Sequence, residues 1–163
     1  MSYLKYESPL GTILAKATDK GIHRLEFIDD EEELKSISDV PTYEDGCCIN
    51  PHLTLLGKEL GAYFIGELKN FTVPVVLIGT DFQVQVWETL KKIPYGQVVS
   101  YREISHQIKN PNAVRAVGAA NGANKIALVI PCHRVIGASG KLTGYAYGLW
   151  RKEWLIEHEK KHL

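Results

Sequence analysis

The chain has 163 residues, 45% of them hydrophobic, enough to bury one ordinary core or two small cores joined by a linker. Its 19 basic and 19 acidic side chains cancel, but unevenly: residues 1–80 hold seven basic and thirteen acidic residues, residues 81–163 twelve and six, hence −6 and +6. No apolar stretch approaches a membrane span, and the first seven residues lack the basic start and apolar centre of a signal peptide, so a cytoplasmic protein without a membrane partner is expected. The positive second half points to a polyanion such as nucleic acid, although salt bridges between the halves account for the split equally well.

In chain order, strand-like runs at 3–6, 12–17 and 22–27 are joined by the turn sequences Pro9-Leu10-Gly11 and Asp19-Lys20-Gly21, as in a small antiparallel meander. The charged run 29–34 reads as a solvated loop or helix face, and 36–50 as polar and irregular. Leu53, Leu55, Leu56, Leu60, Tyr63 and Phe64 recur at helical spacing, and 71–78 reads as a strand. Gly79-Thr80 then separates an N-terminal domain, 1–79, from a C-terminal domain, 80–163.

In the second domain Thr80-Asp81 caps a helix with the apolar face Phe82, Val84, Val86, Trp87, Leu90 and Ile93, which Pro94-Tyr95-Gly96 stops. Residues 101–108 and 113–121 read as short helices around Asn110-Pro111-Asn112, an arrangement resembling a helix-turn-helix. The second of these helices is rich in small residues, with Arg115 its only charge, so it can approach a nucleic-acid groove closely; packing on a neighbouring helix asks for small residues equally. An apolar run at 126–130, read as a strand, a glycine-rich stretch at 137–148 and a terminal helix with Trp150, Trp154, Leu155 and Ile156 complete the chain. No internal repeat or low-complexity tract is visible.

Chemistry concentrates in Ile130-Pro131-Cys132-His133-Arg134-Val135-Ile136-Gly137. A thiol is a strong nucleophile only when its thiolate is favoured, and here imidazole and guanidinium follow it at once. A buried cysteine on its own is more often inert. Sequence neighbours diverge in strand and helix alike, so Cys132 and His133 are not expected to touch, and a bridging water would carry a proton between them. His133 then needs an orienting carboxylate; Glu153, Glu157 and Glu159 are the ones nearby, and these residues alone do not choose among them. Adjacent Cys47 and Cys48 make a poor disulfide framework and, with His23 and His52, lack the spacing of a structural zinc site, so neither metal nor cofactor is expected.

The segment from Phe82 to Glu159 resembles the O6-alkylguanine-DNA alkyltransferases, also called methylated-DNA–protein-cysteine methyltransferases. The resemblance rests on Ile93-Pro94-Tyr95-Gly96, Val99-Ser100-Tyr101, Ala113-Val114-Arg115-Ala116-Val117-Gly118, Asn121-Gly122-Ala123-Asn124, the Pro131 to Gly137 signature and Arg151-Lys152-Glu153-Trp154-Leu155. Ser8-Pro9-Leu10-Gly11 and Tyr63-Phe64 carry it more loosely into the first half. It implies an α/β protein: a small N-terminal ribonuclease-H-like α/β domain, then a mainly helical, winged-helix-like domain holding the helix-turn-helix and the active-site cysteine.

The resemblance also implies a function, the repair of double-stranded DNA by a monomer. Cys132 takes the alkyl group from O6-alkylguanine, and from O4-alkylthymine, once only, because a thioether offers water no activated carbonyl to attack. In that scheme His133 is the water-bridged base, Glu159 its orienting acid and Asn124 a brace around the site. Tyr101 and Lys152 donate hydrogen bonds to the departing guanine. Arg115 fills the gap left by the flipped base, Ala116 and Gly118 allow its helix into the minor groove, and Val135 lines the base pocket through its backbone. Tyr147 stands where the family often has a small residue, implying a pocket suited to methyl rather than benzyl groups. Two other classes remain: a damage sensor without chemistry, against which Cys132 counts, and a cysteine hydrolase, against which Arg115 and the positive second half count.

Overall fold

The computed structural model describes residues 2–44 and 49–163. Two compact units divide the chain, Met1–Val76 and Leu77–Leu163. Among the described residues no helix is long and apolar enough to cross a membrane.

The first unit is built on an antiparallel sheet, β1 (Ser2–Ser8), β2 (Gly11–Ala17) and β3 (Ile22–Phe27), in sequential order. The register sets Leu4 opposite Ala15, and Ile13 and Ala15 opposite Phe27 and Leu25, so alternate apolar residues share one buried face. Against it packs α2 (Pro51–Phe64), burying Leu53, Leu56, Leu60, Tyr63 and Phe64. Asn50 starts that helix by accepting from His52 N and Leu53 N, with proline at the first turn. The charged run forms a short helix, α1 (Glu31–Ser36), capped by Asp30, and Leu14, Ile28 and Ile37 make a second small cluster on the other side of the sheet.

The strand expected at 71–78 does not form. Its donors are committed elsewhere: Thr72 N and Val73 N both donate to the carboxylate of Glu59 on α2, at 2.8–3.0 Å, and Thr72 Oγ1 adds a third bond at 3.0 Å. Pro74 has no N–H to contribute. What remains is an isolated bridge, in which Ile22 N donates to Pro74 O and Val76 N to Ile22 O, both at 2.8 Å. Gly21 makes that bridge possible, since a Cβ there would lie 2.6 Å from Pro74 O.

The second unit is mainly helical. A capping box opens α3 (Asp81–Leu90): Gln83 N donates to Thr80 Oγ1 at 3.1 Å and Thr80 N to Gln83 Oε1 at 3.0 Å. The strand β4 (Val99–Ser100) leads into α4 (Tyr101–Gln107), whose N-cap is Ser100, and a turn leads to α5 (Val114–Gly122). These three helices pack together, and Trp87 Nε1 donates to Ala120 O at 2.8 Å, tying α3 to α5. A 3₁₀ turn at Cys132–Arg134 feeds β5 (Val135–Ile136), which pairs in parallel with β4, and α6 (Leu149–Lys161) closes the chain.

The apolar run 126–130 is a buried turn rather than a strand. Ile130 N donates to Ile126 O at 3.1 Å, and Leu128 adopts a left-handed φ of 70°. The Asn124 side chain stitches the turn shut, accepting from Ile126 N at 3.0 Å and donating to Ile130 O at 2.9 Å. An apolar run reports burial, and a side chain that supplies the missing backbone partners lets a turn be buried as fully as a strand.

Glu59 supports one prediction. It is 6% exposed, and Glu59→Ala leaves the Thr72 and Val73 N–H groups without their acceptor. The expected cost is about 3 kcal/mol, read as a lower urea midpoint for the first unit; an unchanged midpoint would contradict this role.

Candidate active site

Helical periodicity on α6 sets up the site. Lys152, Leu155, Ile156 and Glu159 follow the i, i+3, i+4, i+7 pattern and are all buried, while Glu153 and Glu157 are exposed on the other side. Of the three candidate carboxylates, only Glu159 therefore meets His133. His133 Nε2 and Glu159 Oε2 are 2.7 Å apart, with both side chains essentially inaccessible. The distinguishing signal was present in the sequence: Glu159 shares the face of Leu155 and Ile156, and its two rivals do not.

Glu159 has further partners. Arg134 donates from Nε to Oε1 at 2.8 Å and from Nη2 to Oε2 at 3.1 Å, while its Nη1 donates to Ile93 O at 2.7 Å. Gly96 N adds a bond to Oε1 at 3.2 Å. Burial alone would favour a protonated carboxyl, but the His133 and Arg134 interactions outweigh it and hold Glu159 well below the usual carboxylate range. For His133 burial prevails over the attraction of Glu159, pulling the imidazole below its ordinary value. The resulting pair is neutral imidazole beside ionised carboxylate. Nε2 then carries the proton and donates to Glu159, leaving buried Nδ1 as an acceptor with no hydrogen bond in the structure.

Cys132 opens the 3₁₀ turn and is 3% exposed. It lines a pocket of about 300 Å³ with Tyr101, Gly118, Asn124, Tyr145 and Tyr147, among others. A roomier groove of about 740 Å³ along Trp154 and His158 of α6 contains neither Cys132 nor His133, so volume alone does not select the site. Burial pushes the Cys132 thiol up, and the neighbouring Asn124 side chain, the Lys152 charge and, more weakly, the Tyr145 side chain partly offset this. Asn121 Nδ2 donates to Cys132 O at 3.3 Å, fixing the turn that carries the thiol.

Lys152 is buried at the start of α6 and donates through Nζ to Thr143 O at 2.8 Å and Gly144 O at 3.3 Å. Burial lowers its pKa to about 8. Tyr101 begins α4, and its ring centre lies 5.8 Å from Lys152 Nζ. Val135 is buried in β5, while Arg115 and Ala116 are exposed on α5. Tyr101, Asn124, Cys132, Gly118 and Tyr147 thus share one pocket, with His133, Glu159 and Lys152 behind or beside the thiol. The sequence placed the Arg134 guanidinium beside the thiol, whereas it pairs with Glu159, and Tyr145 was not singled out at all. Arg134 continues the Cys-His-Arg run, and Tyr145 lies two positions before Tyr147.

Among the described residues no three His, Cys, Asp or Glu side chains converge as metal ligands. Cys47 and Cys48 lie outside the described residues, and His52 Nε2 pairs with Asp19 O at 2.9 Å.

The buried cluster dictates a pH dependence. Glu159 and His133 both hold protons less readily when folded than their ordinary values of 4.5 and 6.5. The unfolded chain therefore binds the extra protons, and stability falls as pH drops first below about 6.5 and then below about 4.5. Glu159→Gln should cost about 3 kcal/mol at neutral pH, because Arg134 loses its counter-charge, and should remove the lower part of the acid limb. Urea unfolding from neutral to acid pH checks both; an acid limb identical in the variant would contradict the assignment.

Two family models together match nearly the whole chain: "6-O-methylguanine DNA methyltransferase, ribonuclease-like domain" over residues 1–77 and "6-O-methylguanine DNA methyltransferase, DNA binding domain" over 81–161. The methylated-DNA–protein-cysteine methyltransferase of Methanosarcina acetivorans is 46% identical over 160 residues, covering 98% of each chain. That of Mycolicibacterium paratuberculosis is 45% identical, covering 99% of this chain and 94% of the relative. Among solved structures, Mycobacterium tuberculosis OGT in complex with DNA aligns with a TM-score of 0.85 at 42% identity, over 99% of this chain and 94% of the other. The chain with this cysteine, its histidine and its carboxylate belongs to the 6-O-methylguanine DNA methyltransferase family.

Proposed function

We propose that this protein repairs alkylated double-stranded DNA by moving the alkyl group from O6 of guanine onto its own Cys132. The observation that carries the reading is a buried thiol in a small pocket, followed directly by an imidazole 2.7 Å from a buried carboxylate. Family membership, and a relative solved in complex with DNA, supply the substrate class.

The chemistry balances without a cofactor. The Cys132 thiol gives its proton through a water to His133 Nδ1, the one imidazole nitrogen left as an acceptor. The thiolate then attacks the alkyl carbon; an S–C bond forms as the C–O6 bond breaks, and guanine departs with the electron pair. Glu159 stabilises the imidazolium that forms. Tyr101 and Lys152 donate to the departing guanine, whose negative charge grows in the transition state. The guanine anion takes up a proton at N1 and the imidazolium gives its own back through water, so the products are restored guanine and S-alkylcysteine; the thioether has no comparable route to hydrolysis, and each molecule acts once.

A thiol that is 3% exposed cannot meet a base inside the duplex, so the damaged nucleotide rotates out. Arg115, exposed on α5 with Ala116 beside it and Gly118 in the next turn, occupies the space left, entering from the minor groove. Val135 contributes backbone to the base pocket, and the Tyr147 ring limits the alkyl group to small sizes. O4-alkylthymine presents the same chemistry and is the second expected substrate. The protein acts as a monomer in the cytoplasm.

The test mixes the protein with a duplex bearing one O6-methylguanine and follows intact mass and peptide masses. Expected is the gain of one methyl on Cys132, saturating at one equivalent and absent in Cys132→Ser. Arg115→Ala should slow transfer on the order of tenfold or more while leaving labelling of Cys132 by iodoacetamide unchanged. Tight lesion binding with no mass change would instead identify a damage sensor, and continuing turnover on an ester a hydrolase.

A further inference from the structure

The proposed reaction accounts for His133, Glu159, Lys152 and Tyr101 but gives no task to the Tyr145 hydroxyl in the same pocket. The hydroxyl oxygen of Tyr145 is fully buried, and Tyr145 lines the same small pocket as Cys132. A phenol oxygen removed from solvent beside a sulfur nucleophile needs a reason, since burying an oxygen of this kind is costly unless it bonds.

The surroundings hold that phenol still. The Tyr147 ring packs edge-on against the Tyr145 ring, at 5.4 Å between centres and 73° between planes. Gly148 N donates to Tyr145 O at 3.0 Å. Two buried cations of the first turn of α6 pin the same segment from either side: Lys152 on Thr143 O and Gly144 O, and Arg151 through Nη1 on Tyr147 O at 3.0 Å. A wall fixed at both ends presents Tyr145 to the thiol as a positioned group.

We infer that the Tyr145 hydroxyl is a catalytic hydrogen-bonding partner of Cys132 Sγ, donating to the thiolate as it forms and attacks. This inference rests on the proposed alkyl transfer. Asn124 also faces the sulfur, but its amide hydrogens already serve Ile130 O at 2.9 Å and Ile126 O at 3.3 Å. A hydroxyl rotates its proton about one C–O bond, so it can turn that proton toward the sulfur as the thiolate forms. No bond is made or broken at Tyr145, which keeps its proton throughout. Among the described residues, the other titratable or charged groups around the sulfur are Lys152 of α6, Tyr101 of α4, Tyr147 of the same loop and His133 of its own turn, the last backed by Glu159 and Arg134. All of them stay unchanged in the test.

The test is a pair of pH profiles for wild type, Tyr145→Phe and a protein with fluorotyrosine at position 145. Iodoacetamide labelling of Cys132, followed by peptide mass from about pH 6 to 10, reports thiolate formation without DNA. Single-turnover methyl transfer from a duplex with one O6-methylguanine reports the reaction. Tyr145→Phe keeps the ring and its contact with Tyr147. Its labelling midpoint should rise by about one unit, with transfer at neutral pH slowed about tenfold and recovering as pH rises, and duplex affinity unchanged. Fluorotyrosine, a stronger donor of nearly the same shape, should move the midpoint the other way. Coincident midpoints in all three proteins would overturn the inference, as would a Tyr145→Phe defect that persists at high pH. If wild type labels normally but accepts no methyl from the duplex, the alkyl-transfer reading fails while the labelling midpoints still decide the role of Tyr145.

Discussion

One carboxylate organises the second unit. Glu159 lies buried on α6 and receives His133 Nε2, two nitrogens of Arg134 and the backbone N–H of Gly96. The donors come from two separate segments, so the carboxylate beside the imidazole joins α6 to the turn after α3 and to the 3₁₀ turn carrying the thiol. A buried charge survives only with such partners, and four donors on two oxygens meet that requirement. The stability of the unit and the readiness of the nucleophile thus depend on the same few bonds.

The thiol itself is kept in reserve. Burial holds Cys132 in its protonated form at rest, whereas an exposed low-pKa thiolate would be open to oxidation. Groups that favour the thiolate are its neighbours, Asn124, Lys152 and Tyr145, and the proposed reaction adds His133 through a water. In a pocket closed by a bound base these act in a low dielectric, where each hydrogen bond and charge weighs more than in water. Under the proposed transfer, in which each molecule acts once, this arrangement guards the thiol against premature reaction.

Much of this was legible in the sequence. The meander, α2, the capping box at Thr80 and the two short helices follow from turn residues, caps and apolar spacing, and the Cys132-His133 pair identified itself by its chemistry. Two runs misled in the same way. Residues 71–78 and 126–130 are apolar enough for strands, but their backbone groups are satisfied by single polar side chains, Glu59 and Asn124. A side chain reaching across the fold leaves no periodic trace. The partner of Arg134 escaped for a related reason: the sequence set its guanidinium beside the thiol, but its pairing with Glu159 comes from proximity in space, which composition and spacing do not report.

The central claim is that Glu159 holds His133 as a neutral imidazole protonated at Nε2. Nitrogen-15 chemical shifts of the His133 ring, followed by NMR from about pH 5 to 8, test it directly. The expected result is a neutral Nε2–H tautomer that remains the dominant form across neutral pH, and a mixture of tautomers once Glu159 is replaced by alanine. A His133 already protonated at neutral pH, or carrying its proton on Nδ1, would contradict the account.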